Sequence, residues 1–203
     1  MSVARQHRRR FRSVAQRLRH DANGAYAVEF AFAGSLFIVV SLVLCQYAMV
    51  YMARESLTLA LDQAVRTLLT GVFQQSNAGS TNQTQILQNL KAVVCGPTPT
   101  FRNYLFRCSD IVLDVRVASS FSASSGNASP VDGSTGTWAA GFGTTYSCPG
   151  PKSIAVVRAA VKYPLFARGL SFGLSAFTDG SALLQSAAVF RIEPYQSGSG
   201  SAC

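Results

Sequence analysis

The chain has 203 residues, 48% hydrophobic and 13% charged, with 18 Lys and Arg against 9 Asp and Glu for a formal net charge of +9. That length and apolar content leave room for one domain with an appendage, and exclude a disordered tail and most multidomain machines. Seven of the cations (Arg5, Arg8, Arg9, Arg10, Arg12, Arg17, Arg19) fall in the first twenty residues, which hold no acid, so the basic excess belongs to an N-terminal arm.

Within the arm, Phe11, Val14, Ala15 and Leu18 recur at i, i+3, i+4 and i+7 with arginines on the other faces, the pattern of a basic amphipathic helix. Such a helix can lie on an anionic leaflet. An Arg-rich run can also bind nucleic-acid phosphates or act as an organelle transit peptide. The adjoining segment favours the membrane use. From Phe30 to Ala53 there are 24 residues without a charge, about 36 Å of helix against a hydrocarbon core of about 30 Å. Arginines precede this span and none lies within it, so the positive-inside rule puts the N-terminus in the cytoplasm and the bulk of the chain outside. No nucleic-acid partner is then needed to explain the arm. A secretory signal peptide would have a shorter apolar core ending at a small-residue cleavage site.

After Arg54 the helical pattern continues, with Leu57, Leu61, Ala64, Leu68 and Val72 on one face and Asp62 four residues before Arg66 on another. Gly71 and the polar run Gln74 to Asn82 mark its end. A second, short helix is expected over Gln83 to Val94. Strands are expected at Asp110 to Phe121, Ser153 to Pro164 and Ala182 to Pro194. The first of these sets Ile111, Leu113, Val115 and Val117 against Val112, Asp114, Arg116 and Ala118. Between the first two strands, residues 119–150 hold 8 Ser, 6 Gly and 4 Thr, a composition that resists a single conformation. The expected class is α+β, with a long N-terminal helix that spans a membrane in its first half, a short helix and a small three-stranded antiparallel sheet. The domain reading is a basic leader at 1–24, a transmembrane helix at 25–53, its extramembrane continuation at 54–75, an outer α+β domain at 76–196 and a flexible tail at 197–203.

The junction of arm and span reads Gly24-Ala25-Tyr26-Ala27-Val28-Glu29-Phe30. A glycine at a polar-to-apolar boundary, followed five residues later by a lone glutamate, resembles a type IV prepilin cleavage site, specifically the G-(x)4-E-[FY] form of tight-adherence pilins and pseudopilins. The order of elements, and the closing Phe190-Arg191-Ile192-Glu193-Pro194-Tyr195, resemble TadE-type minor pseudopilins. The resemblance implies cleavage after Gly24 by a prepilin peptidase, leaving Ala25 first. It also implies a single-pass protein of the bacterial inner membrane with a periplasmic domain. Its role would be to help initiate, prime or cap a tight-adherence pilus alongside a related pseudopilin, the major pilin and a membrane platform. A carboxylate in a membrane helix costs roughly 2.5 to 3.5 kcal/mol and is usually paired. In a staggered assembly the new α-amino group of one subunit could meet Glu29 of the next; alternatively, Glu29 snorkels at the interface.

An exported domain permits disulfides, and four cysteines outside the span (Cys95, Cys108, Cys148, Cys203) allow three complete pairings. Cys95 with Cys108 is the first choice, because it joins the second helix to the first strand across a short loop. Such a bond is worth about 3 kcal/mol, and unpaired buried thiols are the alternative. Cys148 with Cys203 is weaker, and Cys45 reads as a small apolar residue of the span. Gly169-Leu170-Ser171-Phe172-Gly173 matches a nucleophile elbow, which needs a strand before it, a helix after it and a histidine base. Both histidines, His7 and His20, lie in the arm, so no catalytic set, metal site or cofactor is expected. The rival to a pilus subunit is an uncleaved, membrane-anchored binding module.

Overall fold

A computed structural model describes residues 22–96, 105–126 and 129–195. The chain divides into two compact units, Met1–Leu44 and Cys45–Cys203. Helix α1, Ala22–Leu69, is continuous through that division. Within the first unit most of its described apolar side chains, including Tyr26, Val28, Phe30, Phe32 and Phe37, are exposed, and a helix apolar on all sides is one that a protein core or a membrane can bury.

In the second unit the same helix changes character. Ala53, Leu57, Ala60, Leu61, Ala64 and Leu68 are buried, at intervals of three and four residues that keep them on one face. That face packs on a three-stranded antiparallel sheet of β1 (Ile111–Ala118), β4 (Ile154–Tyr163) and β5 (Ala182–Arg191), in the order β1-β4-β5. Register sets Ile111 opposite Val161, Leu113 opposite Ala159 and Val115 opposite Val157. Val161 in turn faces Leu184, so alternate residues of all three strands form the floor under the helix. Helix α3 (Gln83–Cys95) completes this layer with Ile86, Leu87, Leu90 and Val94. Its N-terminus is capped by Asn82 Oδ1, which accepts from the backbone N–H groups of Thr84 and Gln85.

The architecture is the α+β one expected, with three departures. The long helix stops at Leu69 rather than near Val72, and a further turn, α2 (Val72–Ser76), follows it. Two carbonyls at the end of α1 are taken by residues outside the helix, one close in sequence and one far. Gln74 Nε2 donates to Leu68 O at 2.9 Å, and the Glu193 N–H donates to Leu69 O at 3.0 Å. A buried helix end needs such partners.

The second departure is the Ser/Gly-rich segment 119–150, expected to resist a single conformation. It contains a 3-10 turn (Ser122–Gly126) and a hairpin of β2 (Val131–Asp132) and β3 (Thr137–Trp138). Trp138 stacks on Phe142 at 5.8 Å and meets Phe177 edge-on at 5.0 Å. Residues 145–147 then run along β1, where Val115 N–H donates to Thr145 O and Ser147 N–H to Val115 O. The aromatic anchors and these edge hydrogen bonds fix a segment whose composition alone predicts none of this.

The third departure follows from the second. The strand face carrying Val112, Asp114 and Arg116, set by alternation against the Ile111, Leu113 and Val115 face, is covered by this segment, and Asp114 is buried. Phe142 lies 5.1 Å beneath the Arg158 guanidinium.

The C-terminal Phe190 to Tyr195 motif closes the domain on the end of α1. Ile192 is buried, the Tyr195 hydroxyl donates to Pro149 O at 3.3 Å, and the Tyr195 ring lies flush on Gly71. Gly71 has φ 77°, and a Cβ there would overlap that ring. Gly79 shares the positive φ, 81°, but has open space around it. Gly79→Ala should therefore cost about 1 to 2 kcal/mol through the left-handed backbone alone. Gly71→Ala should cost about 2 to 5 kcal/mol, because overpacking adds to it. Denaturant unfolding of the detergent-solubilised chain measures both.

Tyr146 gives a second prediction. Burial, with Tyr195 adding to it, pushes its phenol well above the ordinary value of 10.0. The folded state thus keeps the proton that the unfolded chain releases near pH 10, so this contribution is full below pH 10 and is lost as pH rises beyond it. Tyr146→Phe should flatten the alkaline limb of a stability profile.

Candidate functional site

The processing and assembly residues expected from sequence lie in the first turns of α1. Gly24 is exposed and nothing stands within 4 Å of where a Cβ would be, so its surroundings would admit a larger side chain. Glu29 and Phe30 are exposed on the following turns, Phe30 at 79%. The Ala25 side chain and the arm at 1–21 lie outside what the structure describes. This stretch therefore consists of a helix presenting a glycine, a carboxylate and a surrounding apolar surface. It can be cut if the backbone unwinds, insert in lipid, or pack on similar helices. An 18-residue window within Tyr26–Leu69 has mean hydropathy 2.3 and no share buried within the chain, so this helix is long and apolar enough to cross a membrane.

The second unit holds α1 at two levels. At the far end stand the contacts of Gln74, Glu193 and Tyr195. At the near end Gln46 is buried to 1% exposure and both ends of its amide are used. Its Nε2 donates to Leu170 O at 3.4 Å and its Oε1 accepts from the Ala167 N–H at 2.9 Å. The neighbouring Tyr47 hydroxyl donates to Phe172 O at 3.0 Å. Neither residue stood out as functional in the sequence. The available signal was an amide inside an uncharged apolar run, where a polar side chain must find a partner.

Those acceptors and donors belong to the Gly169-Leu170-Ser171-Phe172-Gly173 segment and the residue before Arg168. The segment combines a 3-10 turn (Arg168–Leu170) with irregular backbone, and the strand-turn-helix of a nucleophile elbow is absent from it. Among the described residues, no group of three or more His, Cys, Asp or Glu could hold a metal ion.

Asp114 is the centre of an ion cluster beneath Trp138 and Phe142. Its Oδ2 accepts from Arg158 Nη2 at 2.7 Å and from Arg116 Nε at 2.9 Å. It lies on the strand face opposite Ile111, Leu113 and Val115, and the segment 119–150 covers it. Cys95 and Cys108 form a disulfide with Cα atoms 6.0 Å apart. Cys148 is also disulfide-bonded, while Cys203, its expected partner, lies outside the described residues. Cys45 is a free thiol.

A family model described as TadE-like protein matches residues 24–66, so the chain carries a TadE-like segment from the glycine through most of α1. Neither the curated proteins nor the solved structures contain a match to the chain.

Removing Asp114 takes away the buried carboxylate to which both Arg158 and Arg116 donate. Asp114→Ala should destabilise by about 3 to 5 kcal/mol, as when one partner of a buried pair is lost. Arg116→Ala, at the better-exposed partner, should cost about 1 kcal/mol or less. Urea unfolding monitored by Trp138 fluorescence compares the two.

Proposed function

We propose that this chain is a minor pseudopilin of a tight-adherence pilus, a structural subunit rather than an enzyme. The observation that carries the reading is a coincidence of boundaries. The TadE-like match begins at Gly24, in the first turn of the apolar helix, and the following turns expose apolar side chains that no described residue covers.

In this reading residues 1–24 are a cytoplasmic leader that orients the chain in the bacterial inner membrane through its arginines. A prepilin peptidase cuts after Gly24 and the α+β domain stands in the periplasm. Cleavage removes seven arginines and Asp21 and leaves 11 Lys and Arg against 8 Asp and Glu, so the formal charge falls from +9 to +3. The leader's charge thus serves topology and is discarded.

The new α-amino group at Ala25 lies about 6 Å along the helix axis from Glu29. A neighbouring subunit shifted along the axis can bring its own amine to that carboxylate. Such a pair fixes axial register, as buried polar groups do in other helical assemblies. The partners are the prepilin peptidase, a related pseudopilin, the major pilin, the membrane platform and the bilayer itself. The subunit's work is to initiate, prime or cap the fibre.

N-terminal sequencing and intact mass of membrane-extracted protein should find Ala25 first. A chain that still begins at Met1 or Ser2 would instead support an uncleaved, membrane-anchored periplasmic binding module. Gly24→Leu should block processing while leaving membrane insertion intact. Glu29→Ala should be cleaved normally yet fail to support piliation, and normal piliation by that variant would remove the pairing argument.

A further inference from the structure

We infer that residues Leu165 to Leu174 form a collar seated on the outer leaflet of the membrane that α1 crosses, with Phe166 and Phe172 inserted among the lipids. The inference rests on α1 being membrane-spanning, and it concerns a part of the chain far from α1 in sequence.

The uncharged run Phe30 to Ala53 does not end where the folded domain begins. Its last residues belong to the second unit, in which Val50 packs against the core and Gln46 and Ala53 are buried. Lipid therefore cannot surround α1 all the way to Ala53. Counting from Tyr26, about 30 Å of helix, one hydrocarbon thickness, is reached at Gln46. The collar is fastened at that position, through the amide of Gln46 and the hydroxyl of Tyr47.

What the collar exposes fits this level. Phe166 is 59% and Phe172 67% exposed, although both lie in a segment hydrogen-bonded to the helix. Phe172 also holds a positive φ of 41°, a conformation rarely adopted by a bulky residue. Arg168 stands exposed between them on the same segment, and Arg54 is exposed on α1 just beyond the run. Aromatic rings with flanking arginines suit the boundary between acyl chains and anionic headgroups. The irregular backbone of the segment argues for this boundary and against the hydrocarbon centre, where unpaired N–H and C=O groups exposed to lipid are not tolerated.

Gln46 is then a positioning residue. It removes its own polar cost at the membrane edge by ordering the loop that meets the membrane. The sheet adds a ruler. β4 has ten residues, about 33 Å at strand rise, and Gln46 to Leu69 is about 35 Å at helical rise. The collar follows the Tyr163 end of β4, and Glu193 follows β5 at the other end, where it reaches Leu69. Phe121, beyond the Ala118 end of β1 that pairs with Ile154, is thus a distal surface residue.

The test uses spin labels on the full chain in vesicles of phosphatidylethanolamine and phosphatidylglycerol. The background is Cys45→Ser, with single Phe172→Cys, Phe166→Cys, Val40→Cys or Phe121→Cys substitutions. Collision with oxygen, which concentrates in lipid, is compared with collision with a water-soluble nickel chelate. The oxygen-to-nickel ratio should be highest at 40, lowest at 121, and at both 166 and 172 several-fold above 121.

Ratios at 166 and 172 equal to that at 121, with 40 in lipid, would overturn the collar and leave the membrane-spanning helix standing. Shielding of 166 and 172 from both reagents as protein-to-lipid ratio rises would assign the patch to another subunit and overturn the lipid contact. A water-like ratio at 40 would overturn the spanning helix and the collar with it.

Discussion

The structure of the second unit depends on one packing constraint: the face of α1 formed by Ala53, Leu57, Ala60, Leu61, Ala64 and Leu68 must be covered by the sheet. Full burial of a leucine side chain contributes roughly 1.5 to 3 kcal/mol, and small residues at Ala53, Ala60 and Ala64 let the helix approach the strands closely. The interface joins segments at least 86 residues apart in the chain, counted from Leu68 to Ile154, since β4 and β5 supply much of the floor. A helix whose first half is exposed among the described residues thus has a second half that is part of a domain core.

That constraint explains where polar chemistry is concentrated. Helix α1 leaves carbonyls unpaired at its C-terminus, and Gln74 and Glu193 take them. Gln46 is buried, and the Ala167 and Leu170 backbone answers both ends of its amide. The C-terminal Phe190 to Tyr195 motif can be understood in the same terms. Its arginine Nε donates to Lys152 O at 3.0 Å, its isoleucine is buried, its glutamate backbone caps α1, and its tyrosine fills the space over Gly71. A resemblance in six residues thus corresponds to a closure of the domain on its helix.

The opposite face of the sheet obeys a different logic. Asp114, Arg116 and Arg158 would sit comfortably in water, yet Trp138, Phe142 and Phe177 close over the layer. Buried ion clusters of this kind add little net stability compared with apolar packing, but they are costly to break. Their link to the covering segment is Arg158, which donates to Asp114 at 2.7 Å and presents its guanidinium to the Phe142 ring at 5.1 Å. A stretch rich in Ser and Gly is in this way given a defined place by a few aromatic and charged contacts.

The sequence by itself determined the local and periodic features: the apolar run long enough to span a bilayer, the glycine and glutamate at its edge, the helix at Gln83 and the three strands. Each is set by composition over ten to twenty neighbouring residues, and period and length suffice to read it. The Gly24 to Phe30 motif was legible for the same reason, being contiguous. Only the tertiary structure decided that Asp114 is buried, that residues 119–150 form a covering layer, that Gln46 and Tyr47 hold the 165–174 segment, and that Glu193 caps a helix ending at Leu69. Each of these pairs residues that are 44 to 125 positions apart in the chain, or depends on such a pairing. A local pattern carries no signal for them, because the energy of a buried polar contact depends on what excludes the water around it.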